Sequence, residues 1–271
     1  MQQVRIDETV QFLKTKQNLI PLVGIILGTG LNSLVDAISK PTTILYENIP
    51  NFPLSTVDFH KGRLVFGKIN DVPVVAMQGR FHYYEGYSMQ EITFPVRVMK
   101  ALGIEYLLLS NAAGGLNPGY SKGDLIILED HINLLPDNPL RDLQYEFGNR
   151  FIDMSQPYDL NLQEKLSNAF KKVNVVIKKG VYVAVMGPNL ETRAEYRWLR
   201  NMGADMVGMS TISEVIVANQ LKLKCAAISV ITDECDPLNL KPINIEEIIA
   251  VAGKADKILS GIFIEIIYNL K

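Results

Sequence analysis

Cysteine is scarce in this chain. Cys225 and Cys235 are the only two among 271 residues, ten apart and with no metal-ligand partners nearby. That excludes a disulfide framework and points to reduced thiols in a cytoplasmic setting. Net charge is nearly absent too. Against 27 Lys and Arg stand 29 Asp and Glu, a formal −2, so no whole-molecule field exists to hold nucleic acid or an acidic membrane surface. No window contains the roughly twenty apolar residues of a spanning helix, and the most apolar stretch, 258–268, is broken by Glu265. Residues 1–16 carry Arg5, Asp7, Glu8, Lys14 and Lys16 and lack the apolar centre of a secretion signal. Repeats, low-complexity tracts and Pro/Gly/Ser-rich linkers are missing as well. The expectation is one soluble domain over 1–271, without a nucleic-acid or membrane partner.

What remains is an ordinary globular composition, 48% hydrophobic and 21% charged, which excludes a disordered or collagen-like chain. Strands are predicted at Val23–Leu27, Arg63–Ile69, Val72–Gln78, 106–110, 124–128, 180–186, 205–209 and 224–231. Several are apolar without alternation, as strands buried on both faces must be. Asn70-Asp71 between two of them predicts a hairpin, hence a sheet that is not purely parallel. Ser88-Met89-Gln90-Glu91 reads as a capping box opening a helix that ends near Gly103, kinked at Pro95. Further helices are expected over 191–202 and 245–269. The fold class is α/β, with a mixed central sheet flanked by helices on both sides. Ligands in such sheets bind at the carboxyl ends of strands.

Six segments follow strands. Gly28-Thr29-Gly30-Leu31-Asn32-Ser33 can bring backbone N–H groups to an anion. It half-matches a dinucleotide fingerprint, with Ser33 replacing the third glycine and Glu47 near the position of a ribose-binding acid. In Gln78 to Tyr87, Arg80 and His82 alternate and so point the same way, a pair suited to phosphate. Three tyrosines beside them offer flat walls for a sugar or base. The bland alternative is a surface loop in which Arg80 pairs with Glu85. The run of small residues after Ser110, through Gly119, lets a ligand lie against backbone.

Glu191, in Gly187-Pro188-Asn189-Leu190-Glu191-Thr192, falls in a first helical turn, where it is either a dipole partner or an acceptor for a base. Ser210, in Gly208-Met209-Ser210-Thr211, is a helix cap or a ligand. Asp233, Glu234 and Asp236 lie just past a buried strand, with no His nearby, so no metal site is expected.

Taken together, these segments resemble the trimeric purine nucleoside phosphorylases over nearly the whole chain. The matching text is Gly28-Thr29-Gly30, Ile49-Pro50-Asn51-Phe52-Pro53, Gly62-Arg63-Leu64-Val65-Phe66-Gly67, 77–87, Phe94-Pro95-Val96-Arg97-Val98, 111–118, Asp130-His131-Ile132-Asn133-Leu134 and 208–211. The resemblance implies a partly barrel-like sheet and transfer of a pentosyl group from a purine nucleoside to inorganic phosphate, giving free base and pentose 1-phosphate. Phosphate would be a co-substrate, and no cofactor would be needed. By the same resemblance Thr29, His60, Arg80, His82, Ala112 and Ser210 hold phosphate. Tyr84, Met209, Leu190 and Phe151 serve the ribose, and Ala113, Gly114, Glu191, Val207 and Asp233 the base. His82, Glu191 and Asp233 are the catalytic set. Phe151, in Phe147-Gly148-Asn149-Arg150-Phe151, reaches a neighbouring subunit, which implies a homotrimer working in purine salvage.

Two positions depart from the guanosine/inosine enzymes, which carry Asn at Asp233 and His at Ile245. Both departures lean toward the related methylthioadenosine phosphorylases, whereas 187–192 has the nucleoside-phosphorylase form. Inosine and guanosine are the expected substrates. The alternatives are a methylthioadenosine phosphorylase, a dinucleotide-dependent oxidoreductase using 28–33, and a non-catalytic purine sensor.

Overall fold

The computed structural model describes residues 2–56, 61–141, 148–240, 242 and 244–270. The sheet is built from β1 (Val23–Leu27), β2 (Ser39–Leu45), β3 (Arg63–Ile69), β4 (Val72–Gln78), β5 (Tyr106–Gly115), β6 (Leu125–Asn133), β7 (Lys178–Ala184), β8 (Met206–Gly208) and β9 (Lys224–Glu234). Its order is β2-β3-β4-β1-β5-β8-β7-β6-β9, and a further β5–β9 pairing closes the last five strands into a barrel. β1 runs parallel to β4 and β5, and β5 parallel to β9. Four strands therefore end on the same side.

The helices are α1 (Gln2–Lys16), α2 (Met89–Leu102), α3 (Leu160–Lys172), α4 (Arg193–Asn201), α5 (Ile212–Gln220) and α6 (Ile245–Tyr268). Ile6, Val10 and Leu13 of α1 pack with α2 and α5 over one side of the sheet. Leu162, Leu166 and Phe170 of α3 join Leu259, Phe263 and Ile266 of α6 over the other. Among the described residues no helix is long and apolar enough to cross a membrane.

The hairpin at Asn70-Asp71 forms as expected, with φ of 49° and 66° at the two residues, the left-handed pair that joins strands without splaying them. Ser88 caps α2 and Gly103 ends it. β2 has no counterpart among the expected strands. It is an exposed edge strand with a bulge between Ser39 and Thr42, the setting in which Pro41 is tolerated because no inner ladder needs its N–H.

β5 and β9 run further than expected. The segment Asn111 to Gly115, expected as a loop, is a strand, because its backbone pairs with β9 and, at Gly114 and Gly115, with β8. Glu191 is not in a helical turn: Thr192 caps α4, leaving Glu191 one residue outside.

Candidate active site

One cavity of about 360 Å³ opens where β1, β4, β5 and β9 end. At Gly28 a Cβ would sit 2.8 Å from Asn111 Cα, so only glycine lets β1 and β5 converge and sets Thr29 on the cavity wall. The dinucleotide reading of this loop fails. Its Asn32 and Ser33 N–H groups both donate to Asp256 Oδ2 in α6, at 2.9 and 2.7 Å. The loop leads into a short 3-10 helix, Ser33–Ala37, and Glu47 sits in another, Tyr46–Asn48.

Arg80 follows β4 and is buried. Its Nε lies 3.3 Å from Glu214 Oε1 of α5, and its Nη1 donates to Ser210 Oγ at 3.0 Å and Thr211 Oγ1 at 3.2 Å. Arg80 thus pairs with Glu214, and Glu85 pairs elsewhere. Asn111 Nδ2 also donates to Thr211 Oγ1, and Ser229 Oγ holds Asn111 Oδ1.

Thr211 has φ 72° and ψ −50°, and the Ile212 N–H reaches Ser210 O at 2.8 Å. This γ-turn costs a β-branched residue about 1–3 kcal/mol. In return it turns the Ser210 and Thr211 hydroxyls toward Arg80. Neither hydroxyl caps α5, so the cap reading of Ser210 does not hold.

His82 Nδ1 and its backbone N both lie 2.8 Å from Glu85 Oε1. Burial pushes the Glu85 carboxyl up, but bonds from His82 and Thr56 outweigh it and hold the group at about 2. An ionised carboxylate can only accept, so Nδ1 carries the hydrogen and Nε2 is left for the cavity. The Tyr84 ring stacks on His82, 4.7 Å between centroids and 13° from parallel. Burial, then the Glu85 charge, raises the Tyr84 hydroxyl to about 12, so it stays a neutral phenol.

At the far end Ala113, Gly114 and Val207 form a small-residue slot facing Glu191, Tyr196, Asp233 and Cys235. Burial, followed by the charge of Asp233, raises the Glu191 carboxyl, while a bond from the Tyr196 hydroxyl opposes this. Asp233 Oδ1 accepts from Thr232 Oγ1 at 2.9 Å, and Oδ2 from the Cys235 thiol at 3.2 Å. Leu190, Met209, Pro188, Ile245 and Ile248 add apolar surface to the lining.

The cavity therefore gathers Thr29, Arg80, His82, Tyr84, Ala112, Ala113, Gly114, Leu190, Glu191, Val207, Met209, Ser210 and Asp233, every one anticipated from sequence. Phe151 is not among its lining and stands 83% exposed. His60 lies outside the described residues. Tyr196 and Cys235 were missed as site residues. For Cys235 a signal existed, since it stands two residues past Asp233 at a strand end and so returns to the same face. Among the described residues no group of three or more His, Cys, Asp or Glu could hold a metal ion.

This arrangement has known counterparts. The family described as Phosphorylase superfamily matches residues 22–267. The chain is 49% identical to purine nucleoside phosphorylase 1 of Bacillus subtilis (strain 168) over 251 residues, 92% of this chain and 93% of that one. Its fold matches the crystal structure of Schistosoma mansoni purine nucleoside phosphorylase in complex with inosine at TM-score 0.93 and 39% identity, covering 99% and 97% of the two chains. The adenosine complex of the same schistosome enzyme matches equally, at TM-score 0.93 and 39% identity over 98% and 97%. With a basic, hydroxyl-rich end and an acidic end in one cavity, and likeness along nearly its full length, the chain belongs to the purine nucleoside phosphorylase family.

Proposed function

We propose that the protein cleaves purine nucleosides with inorganic phosphate, preferring inosine and guanosine, and releases free base and pentose 1-phosphate. One observation carries this reading: Arg80, His82 and Ser210 stand at one end of a single cavity whose other end holds Glu191 and Asp233. Breaking the C1′–N9 bond leaves positive character on the sugar and negative charge on the purine. A phosphate under the sugar is both nucleophile and counter-charge. Arg80, His82, Thr29, Ser210 and the Ala112 backbone fix its line of attack. Tyr84, Met209 and Leu190 position the ribose. Hydrogen bonds at the base end strengthen as the purine becomes anionic, and losing one such bond costs about 3 kcal/mol of transition-state stabilisation.

In this reading the whole chain, 1–271, acts as one domain in the cytoplasm, in purine salvage. Three copies associate, and the exposed Phe151 ring enters the site of a neighbour. Phosphate is a co-substrate, and no cofactor takes part.

A methylthioadenosine phosphorylase is the second reading, favoured by the apolar Ile245 and Ile248 on the cavity wall. One assay separates the two. Inosine, guanosine, adenosine and methylthioadenosine are each supplied with and without phosphate. Phosphate-dependent release of hypoxanthine and guanine ahead of adenine supports the first reading. Base release that is equal in phosphate-free buffer overturns it, and turnover of methylthioadenosine alone establishes the second.

A further inference from the structure

The base end holds a group that the proposed chemistry leaves without a task. Cys235 is buried, 2% exposed, just beyond β9, where its N–H donates to Gly115 O at 2.9 Å. Its sulfur meets Asp233 Oδ2 at 3.2 Å, and Tyr196 and Glu191 line the same cavity. Space for this thiol is made on the neighbouring strand β5, where Gly114 pairs with Asp233. A Cβ on Gly114 would fall 2.5 Å from Cys235 Sγ and 3.1 Å from Asp233 Oδ2. Burial, then the charge of Asp233, pushes the thiol far up, so it remains S–H and a donor.

We propose that Cys235 is a specificity-determining positioning residue: by donating to Asp233 it keeps that carboxylate an acceptor facing the base, and so admits 6-aminopurine nucleosides beside 6-oxopurine ones. The inference rests on the phosphorylase reading above and concerns the base end of that same site.

Glu191 and Asp233 can read the edge of a purine in two ways. With the proton on Glu191, that residue donates to N1 of a 6-aminopurine while Asp233 accepts from the 6-amino group. With the proton on Asp233, Glu191 accepts from N1–H of a 6-oxopurine while Asp233 donates to N7 or O6. Both oxygens of Asp233 already receive side-chain donors, Thr232 and Cys235. The thiol and the Thr232 hydroxyl therefore fix Asp233 as an acceptor, and an acceptor at that place suits the 6-amino edge.

The test is the ratio of kcat/KM for adenosine to that for inosine. Cys235→Ala is expected to lower it about tenfold, the effect of one hydrogen bond to a charged group. Cys235→Ser, which keeps a donor, is expected to stay within about twofold of the unmodified protein. Thr232→Val removes the other donor and is expected to shift the ratio in the same direction, so it decides the matter should Cys235→Ala not fold. An equal loss on both nucleosides in Cys235→Ala and Thr232→Val, or a ratio that rises, overturns the proposal. Failure of the unmodified protein to cleave inosine with phosphate is a different result and strikes the phosphorylase reading itself.

Discussion

Arg80 Nε lies 3.3 Å from Glu214 Oε1, and the two side chains are only 2% and 3% exposed. The guanidinium proposed to hold phosphate is therefore charge-paired within the protein itself. Glu214 fixes one edge of the fork, and the Ser210 and Thr211 hydroxyls fix Nη1. A planar cation gripped this way cannot swing to follow a ligand, so under the proposed function the phosphate is placed to suit it.

Arg80→Ala therefore has two separable consequences. The apparent phosphate KM rises about tenfold or more, roughly 1.4 kcal/mol. Stability falls by about 3–5 kcal/mol, because Glu214 is left as a buried unpaired charge. In Arg80→Ala/Glu214→Gln much of the stability returns and the phosphate KM does not. Denaturant unfolding and phosphate titration of both variants check this. An unchanged phosphate dependence in Arg80→Ala removes the residue from the phosphate site.

Asp233→Asn supplies an amide N–H where Thr232 and Cys235 now hold a carboxylate. Use of inosine and guanosine over adenosine is expected to improve about tenfold, since one hydrogen bond at the base edge changes from acceptor to donor. Comparing kcat/KM for the three nucleosides measures it. A constant ratio means that the side chain at 233 does not choose between the 6-oxo and 6-amino edges.

The parts of this architecture that were legible in the sequence are those with local causes. β1, β3 and β4 sit where their apolar runs begin and end, and Asn70-Asp71 forces its turn. The Ser88 capping box starts α2 for reasons contained within four residues. The strand character of 111–115 was hidden because it depends on a partner more than a hundred residues away, β9, closing the barrel. Edge strand β2 was hidden because exposed, polar residues carry no burial pattern. In the site, Arg80 and His82 were readable as an alternating pair, but the identity of their partners was not. Glu214 and Glu85 are both acids near a basic residue, and only the packing of α5 beneath the cavity decides which pairs with Arg80.

Asp256 ties the loop bearing Thr29 to α6. It is 7% exposed and accepts from the Asn32 and Ser33 N–H groups, while Ser33 and Ser260 share a hydroxyl contact at 2.9 Å. Asp256→Ala leaves two backbone donors unmet and is expected to cost about 2–3 kcal/mol of stability. Asp256→Asn, whose amide oxygen still accepts, costs about half as much. Because the same loop places Thr29, the alanine variant also raises the phosphate KM more than the nucleoside KM. Equal changes in both constants indicate that the loop is not held through this carboxylate.

Glu85 makes the fold sensitive to acid. Its carboxyl is held at about 2 against an ordinary 4.5, and its side chain is 2% exposed. A group whose folded value is depressed adds stability that is complete above its unfolded value and is lost as the pH drops through the folded one. Here that window runs from about 4.5 down to about 2, with a contribution on the order of 3 kcal/mol at neutral pH. Glu85→Gln cannot ionise. At pH 7 it is expected to unfold at lower denaturant than the unmodified protein, with the gap narrowing steadily below pH 4.5. Unfolding midpoints at pH 7, 4 and 3 test this. A gap that stays constant over that range means the ionised carboxylate is not what joins His82 to Thr56, and the orientation assigned to the His82 ring then loses its support.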